Sequence, residues 1–185
     1  MVSSILLVSA TMVLILACAA PSKGGSAATP ETTSGMVLVS TAFKEGEPIP
    51  PKYSGYGKNI SPDLSWDSVP AGTVSFALIC RDPDAPGGTF YHWVGFNIPD
   101  SVKALPEGIG RSATLSSGGI QGRNSFNRVG YDGPKPPSGT HRYYFDLYAL
   151  NGRLALDQAA TADRLIEAMK GRVLGQASLM GRYTR

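Results

Sequence analysis

The run Thr73-Val74-Ser75-Phe76-Ala77-Leu78-Ile79-Cys80-Arg81, followed at once by Asp82-Pro83-Asp84-Ala85-Pro86, limits the fold more than any other stretch. Val74, Phe76, Leu78 and Cys80 share one face by the two-residue period of a strand, and Ser75, Ala77 and Ile79 share the other. Both faces are largely apolar, so the strand belongs inside a sheet rather than at its edge. Two prolines then fix a turn that leaves Asp82 at the strand's end. Two more alternating runs follow. In Tyr91 to Ile98, the period puts His92, Val94, Phe96 and Ile98 on one face. In His141 to Leu150, it puts His141, Tyr143, Phe145, Leu147 and Ala149 together.

The rest of the chain supports a fold rich in strands and loops. Its 185 residues suffice for one domain with its own core, and 22 glycines and 14 prolines interrupt any long helical period. Met36 to Phe43 reads as a first strand, Glu47 to Tyr53 as a proline-rich connection unable to donate regularly to a ladder, and Ser61 to Trp66 as a short extended piece. Pro99 to Ser138 lacks periodicity. A connection of that length inside a compact domain is usually functional, and Gln121 to Phe126 could wall a binding site. Thr161 to Val173 has apolar residues at helical spacing (Leu165, Ile166, Met169, Val173), with Thr161 as N-cap. The segment from Leu174 to Tyr183 closes the domain.

The N-terminal 17 residues are uncharged, and Ile5 to Ala17 is almost wholly apolar, the length of a signal-peptide core and short for a membrane span. The segment ends at Ile15-Leu16-Ala17-Cys18, which looks like a bacterial lipobox, so Cys18 is the expected lipidation site. Residues 18–35, rich in Ser, Thr, Gly, Ala and Pro, read as a flexible tether, and 36–185 as the folded domain. These readings make the protein an exported, membrane-anchored lipoprotein of the cell envelope, or a secreted or periplasmic protein if Cys18 is unmodified. Cys80, the second of two cysteines, sits on an apolar strand face, where a thiol behaves as a small hydrophobe. A net charge of +3 without clusters of Lys and Arg excludes nucleic acid as the expected partner.

The chain has only two histidines, His92 and His141, each at the start of a strand, while Asp82 closes a strand. If the three strands are neighbours, two imidazoles, one or two aspartates and Tyr143 meet at one sheet end. A carboxylate beside an imidazole fixes its tautomer and favours its charged form. Together with backbone N–H groups of the Gly/Pro loops, such a cluster would make a small anion pocket.

The ordered blocks Asp82-Pro83-Asp84-Ala85-Pro86, His92-Trp93, Gly133-Pro134 and Gly139-Thr140-His141-Arg142-Tyr143 resemble the signature of the phosphatidylethanolamine-binding proteins, and most closely their bacterial Raf kinase inhibitor-like branch. Ser61 to Trp66 and the stretch ending Gly171-Arg172-Val173-Leu174 fit as well, so the resemblance covers about Met36 to Tyr183. It implies a mainly β fold, an antiparallel β-sandwich with Greek-key connections and peripheral helices, including one near the C-terminus. It also implies a ligand site of Asp82, His92, Gly133, Pro134, His141 and Tyr143, with Asp84 structural or at the rim and Arg142 in a structural ion pair. The chain departs from the family at Arg81, where an acidic residue is common, and at Arg172, often His; the first change would place an extra cation near the pocket.

The function expected is therefore non-enzymatic binding of a small anion, a phospholipid head group or a phosphorylated partner, with modulation of a kinase as the family analogy. No cofactor and no metal are expected, and no protein partner is named by these residues. The alternative uses of the same Asp/His cluster are a metal site or a hydrolase. The sequence holds no Gly-x-Ser-x-Gly elbow and no HExxH motif to support either.

Overall fold

The computed structural model describes Met1 and residues 35–185; the expected leader, the lipidation at Cys18 and the tether up to residue 34 lie outside the described residues. The elements in chain order are β1 (Val37–Val39), a 3-10 turn (Pro51–Tyr53), β2 (Leu64–Asp67), β3 (Ser75–Asp82), β4 (Phe90–Pro99), β5 (Ala104–Leu105), β6 (Ile120–Gln121), β7 (Thr140–Leu150), α1 (Ala162–Met169) and β8 (Val173–Thr184). They form two antiparallel sheets, ordered β1-β2-β5 and β6-β4-β3-β7-β8. In the larger sheet, β3 and β4 form a hairpin, β6 lies beyond β4, and β7 returns by the long connection to flank β3. This is the Greek-key order.

The expectation for β3 holds. It is central, and only Arg81 of its eight residues is not buried. Phe76, Leu78 and Cys80 enter the main core with Tyr143, Phe145, Leu147 and Ala149 of β7, and Leu38, Leu64 and Trp66 of the smaller sheet close that core from the other side. Ala77 and Ile79 face a second core beneath α1, whose Leu165 and Met169 pack there with Val94 and Phe96. Each apolar side chain of this kind contributes about 1.5–3 kcal/mol on burial.

The face expected for β4 is corrected. Val94 and Phe96 lie in the second core, but Ile98 and Trp93 lie in the first. Two irregularities break the two-residue period. Cys80 pairs with Trp93 and Arg81 with Tyr91, which leaves His92 as the extra residue of a bulge. A second register shift falls between the Phe76–Ile98 and Leu78–Gly95 pairs, and there Asn97 adopts a left-handed φ of 55°. Asn97 is fixed by exchanging hydrogen bonds with the backbone N–H and C=O of Leu154.

Other boundaries shift as well. β1 is shorter than expected. The helix stops at Met169, and Val173, expected within it, opens β8 instead; the helix thus precedes a closing strand. Gly46 and the proline-rich stretch after it shield β8: the Gly46 N–H donates to Met180 O and the Ile49 N–H to Arg182 O, while Arg182 N donates back to Glu47 O.

Candidate functional site

Antiparallel pairing carries Asp82, His92, His141 and Tyr143 to one end of the larger sheet. Arg81 of β3 stands opposite Tyr91 on one side and Tyr144 on the other. Asp82 therefore ends β3 beside the start of β4 and the start of β7. His141 Nδ1 lies 2.7 Å from Asp82 Oδ2, and Asp82 Oδ1 accepts the Asp84 N–H at 2.9 Å, which orients the carboxylate. All four side chains are buried.

The bulge aims His92 into this group. Its ring stands edge-on to Tyr143, with centroids 5.2 Å apart, and is flanked by Phe90 at 5.2 Å and Phe126 at 5.8 Å. His92 Nδ1 is 2.7 Å from the Asp132 carbonyl oxygen. A carbonyl only accepts, so Nδ1 carries the hydrogen. Burial pushes the pKa of His92 below the ordinary imidazole value, against the pull of the Asp132 backbone and the Asp82 charge. Burial thus favours the neutral form of His92. The Tyr143 hydroxyl is buried facing the Asp82 carboxylate without a well-formed hydrogen bond, and burial, with the Asp82 charge, holds it protonated well above the usual phenol range.

Gly133 and Pro134 are buried beside the group. A Cβ on Gly133 would lie 1.9 Å from the Tyr53 carbonyl oxygen, so only glycine lets these backbones cross so closely. The Gly133 N–H, expected to help hold an anion, instead donates to Asn59 Oδ1 at 2.7 Å.

Asp84 is held elsewhere. Its Oδ1 accepts from Arg142 Nη2 at 2.6 Å, and its Oδ2 from Arg142 Nε and the Arg142 N–H, both at 2.9 Å. The Arg142 side-chain hydrogen bonds hold the Asp84 pKa down at about 2. This ion pair joins the Asp-Pro-Asp turn to β7, the structural role expected of Arg142. Arg81 corrects a second expectation. It lies on the opposite face of the sheet, with Nε 2.6 Å from the buried Asp146 and its guanidinium 4.5 Å from the Tyr144 ring centre, and adds no cation to the cluster.

Asp132 is the residue that sequence reasoning missed. Its carboxylate is buried and receives Arg111 at 2.6 and 3.0 Å, Asn124 at 2.8 Å and Asn59 at 3.1 Å, with Arg128 at 3.4 Å. Burial alone would raise its pKa, but these donors, Arg111 first, hold it below the ordinary value. Through its carbonyl it sets the His92 tautomer, and through Asn59 it anchors Gly133. The one available signal was its place beside Gly133-Pro134. Within the polar stretch of the long connection, Phe126 stands edge-on to His92 and Asn124 donates to Asp132.

Among the described residues no group of three or more His, Cys, Asp and Glu side chains could hold a metal ion. Cys80 is buried and free, and desolvation pushes its thiol well above the ordinary value, the opposite of an activated nucleophile. An open groove of about 400 Å³ lies apart from the cluster, lined by Ala113, Thr114, Ile120 and residues 156–159.

Two antiparallel sheets around a shared core, with carboxylate, imidazole and phenol groups gathered at one end of the larger sheet, define a mainly β protein with a polar site on its scaffold. The family model described as phosphatidylethanolamine-binding protein matches residues 39–184. The chain belongs to this family. It is 49% identical over 150 residues to a UPF0098 protein of Methanothermobacter thermautotrophicus, covering 81% of this chain and 99% of that one. To the UPF0098 protein YbhB of Escherichia coli it is 44% identical over 135 residues, covering 68% and 85%. Its fold matches the crystal structure of the phosphatidylethanolamine-binding protein homologue CT736 from Chlamydia trachomatis, with a TM-score of 0.74 and 41% identity over 81% of this chain and 97% of that one. It also matches Escherichia coli YbcL, described as a new member of the mammalian family, with a TM-score of 0.77 and 32% identity over 81% and 98%.

Proposed function

We propose that this protein is a non-enzymatic binding protein whose Asp82, His92, His141 and Tyr143 take a small oxyanion: a phosphate-type group, free or carried by a phospholipid head group or a phosphorylated partner. The observation that carries this reading is the Tyr143 hydroxyl. It is buried among two imidazoles and a carboxylate, faces Asp82 without forming a well-aligned hydrogen bond, and a native core rarely leaves such a group short of a full partner unless a ligand or water meets it. The rigid surroundings suit recognition, since His92, His141 and Gly133 are each fixed by a neighbour. We further propose that the chain is exported and held at a membrane by lipid on Cys18, a reading that rests on the apolar run before that cysteine and the polar stretch after it. In that setting a cytoplasmic kinase is out of reach, and the kinase-modulating role of the family analogy would need a partner on the same side of the membrane.

The test is titration of the protein with phosphate and with phosphoethanolamine, following the ring resonances of His92 and His141 by NMR. Saturable shifts of both rings, weakened in Tyr143→Phe, are expected. No shift at millimolar concentrations overturns the anion site. Membrane fractionation of wild type and Cys18→Ser tests the anchor.

A further inference from the structure

The hydrogen-bond inventory of the cluster says what the ligand itself must bring. Most donors nearby are already spent. The Gly133 N–H goes to Asn59, Asn124 Nδ2 to Gly130 O and Asp132, and the Arg111 guanidinium, with Arg128 beside it, to Asp132. What faces His92 from each side is as follows. The end of β3 supplies the Asp82 carboxylate, β7 supplies Tyr143 with His141 held on Asp82, and the long connection supplies Phe126, Asp132 and the Gly133 backbone, with Arg128 beyond on Asp132. With Nδ1–H committed to the Asp132 carbonyl, Nε2 of the neutral His92 ring is an acceptor, and none of the hydrogen bonds that hold the cluster is donated to it. Asp82 is an acceptor too. A fully deprotonated anion would meet an imidazole lone pair and a carboxylate, with the Tyr143 O–H, which itself faces Asp82, as the nearest donor.

We propose that the site selects an oxyanion that still carries a proton, such as a phosphoryl monoanion, which donates that proton in a hydrogen bond to His92 Nε2. This rests on the anion-site reading above and deepens it. His92 becomes a specificity-determining residue: it discriminates between anions of the same shape by whether they can donate. A site built to accept a hydrogen bond rejects an analogue lacking the donor, because the buried acceptor is then left unpaired. No bond is made or broken, and the proton remains on the ligand.

Phosphate and sulfate are the probes, since they share size and tetrahedral shape but only phosphate keeps a proton near neutral pH. The full-length protein is titrated with each by NMR and calorimetry at one mildly acidic pH and one ionic strength. Phosphate is expected to bind at least about tenfold more tightly than sulfate. In His92→Phe, which removes the acceptor, the ratio is expected to collapse toward one; because it is a ratio, a general loss of affinity does not disturb it. Equal binding of the two ions by the wild type overturns the proposal while leaving the anion site standing. A tenfold preference retained in His92→Phe overturns the assignment to His92. Binding of neither ion overturns the anion-site reading, and this proposal with it.

Discussion

His141 Nδ1 stands 2.7 Å from Asp82 Oδ2, and both side chains are buried. The carboxylate is acceptor for both the imidazole and the Asp84 N–H, so it couples β7 to the turn that follows β3. Removing one partner of such a pair leaves the other buried and unmatched. Asp82→Ala is expected to lower stability by about 3–5 kcal/mol. Denaturant unfolding measures this, and a loss below about 1 kcal/mol would contradict a buried, hydrogen-bonded pair.

Tyr143→Phe separates stability from binding. The hydroxyl is buried and faces the Asp82 carboxylate without a well-formed hydrogen bond, so deleting it sacrifices no full hydrogen bond of the fold. The variant is expected to be at least as stable as wild type and to bind phosphate about tenfold more weakly, as if one hydrogen bond to the ligand were lost. A destabilised Tyr143→Phe with unchanged affinity would mean that the hydroxyl serves the fold and not the ligand.

Asp84 contributes to acid sensitivity. Its folded pKa is held at about 2 by Arg142, below the value of about 3.9 for an unfolded aspartate. A depressed carboxylate pKa gives stability that is fully present above the unfolded pKa and lost as pH falls through the folded one. The window is therefore from about pH 4 down to about pH 2. The pair is partly exposed, so the effect is modest and weakened by salt. The gap in Tm between wild type and Asp84→Asn is expected to be constant near neutrality and to close across that window; a gap that persists at pH 2 is the contrary result.

His92 works in the other direction from a histidine that gains an ion pair. Burial lowers its folded pKa, so between that value and about 6.5 the unfolded chain binds more protons. Stability falls as pH drops below about 6.5 and recovers as pH rises. An NMR titration of the ring is expected to give a midpoint below 6.5 with Nδ1 protonated throughout; a midpoint above 6.5 is incompatible with the buried neutral ring.

How much of this the sequence showed depends on the period. β3 and β7 keep a strict alternation, so Phe76, Leu78, Cys80, Tyr143, Phe145 and Leu147 were placed on the correct face from spacing alone. β4 does not, and the bulge that turns His92 toward Tyr143 leaves no mark in the run of residue types. That Asp82 and His141 meet at one sheet end followed from strand ends; that they pair with each other did not. Asp132, Asn59 and Arg111 could not be found that way, because they come together from irregular connections in which spacing carries no geometry. The family blocks named Gly133 and Pro134. The reason for the glycine, its crossing with Tyr53, needs the three-dimensional contact.

Arg81 offers a test of which side of the sheet matters for the ligand. It follows Cys80, whose side chain enters the main core, and so points to the other face, where its Nε meets Asp146 at 2.6 Å and Ser178 Oγ donates to the second carboxylate oxygen at 2.7 Å. Asp146 is 1% exposed, so it depends on these two donors for compensation. Arg81→Ala would leave that carboxylate with the serine alone. The expected cost is about 3 kcal/mol, read from denaturant unfolding, and the direction follows from stranding a buried charge. The double variant Arg81→Ala with Asp146→Ala should recover part of the loss, since the unpaired charge is then gone. Affinity for phosphate, measured on the fraction that is folded, is expected to stay within about twofold of wild type, because the strand backbone separates Arg81 from Asp82, His92 and His141. An Arg81→Ala protein that folds but loses phosphate binding would place this guanidinium in the ligand site and require a different path for the chain after Cys80.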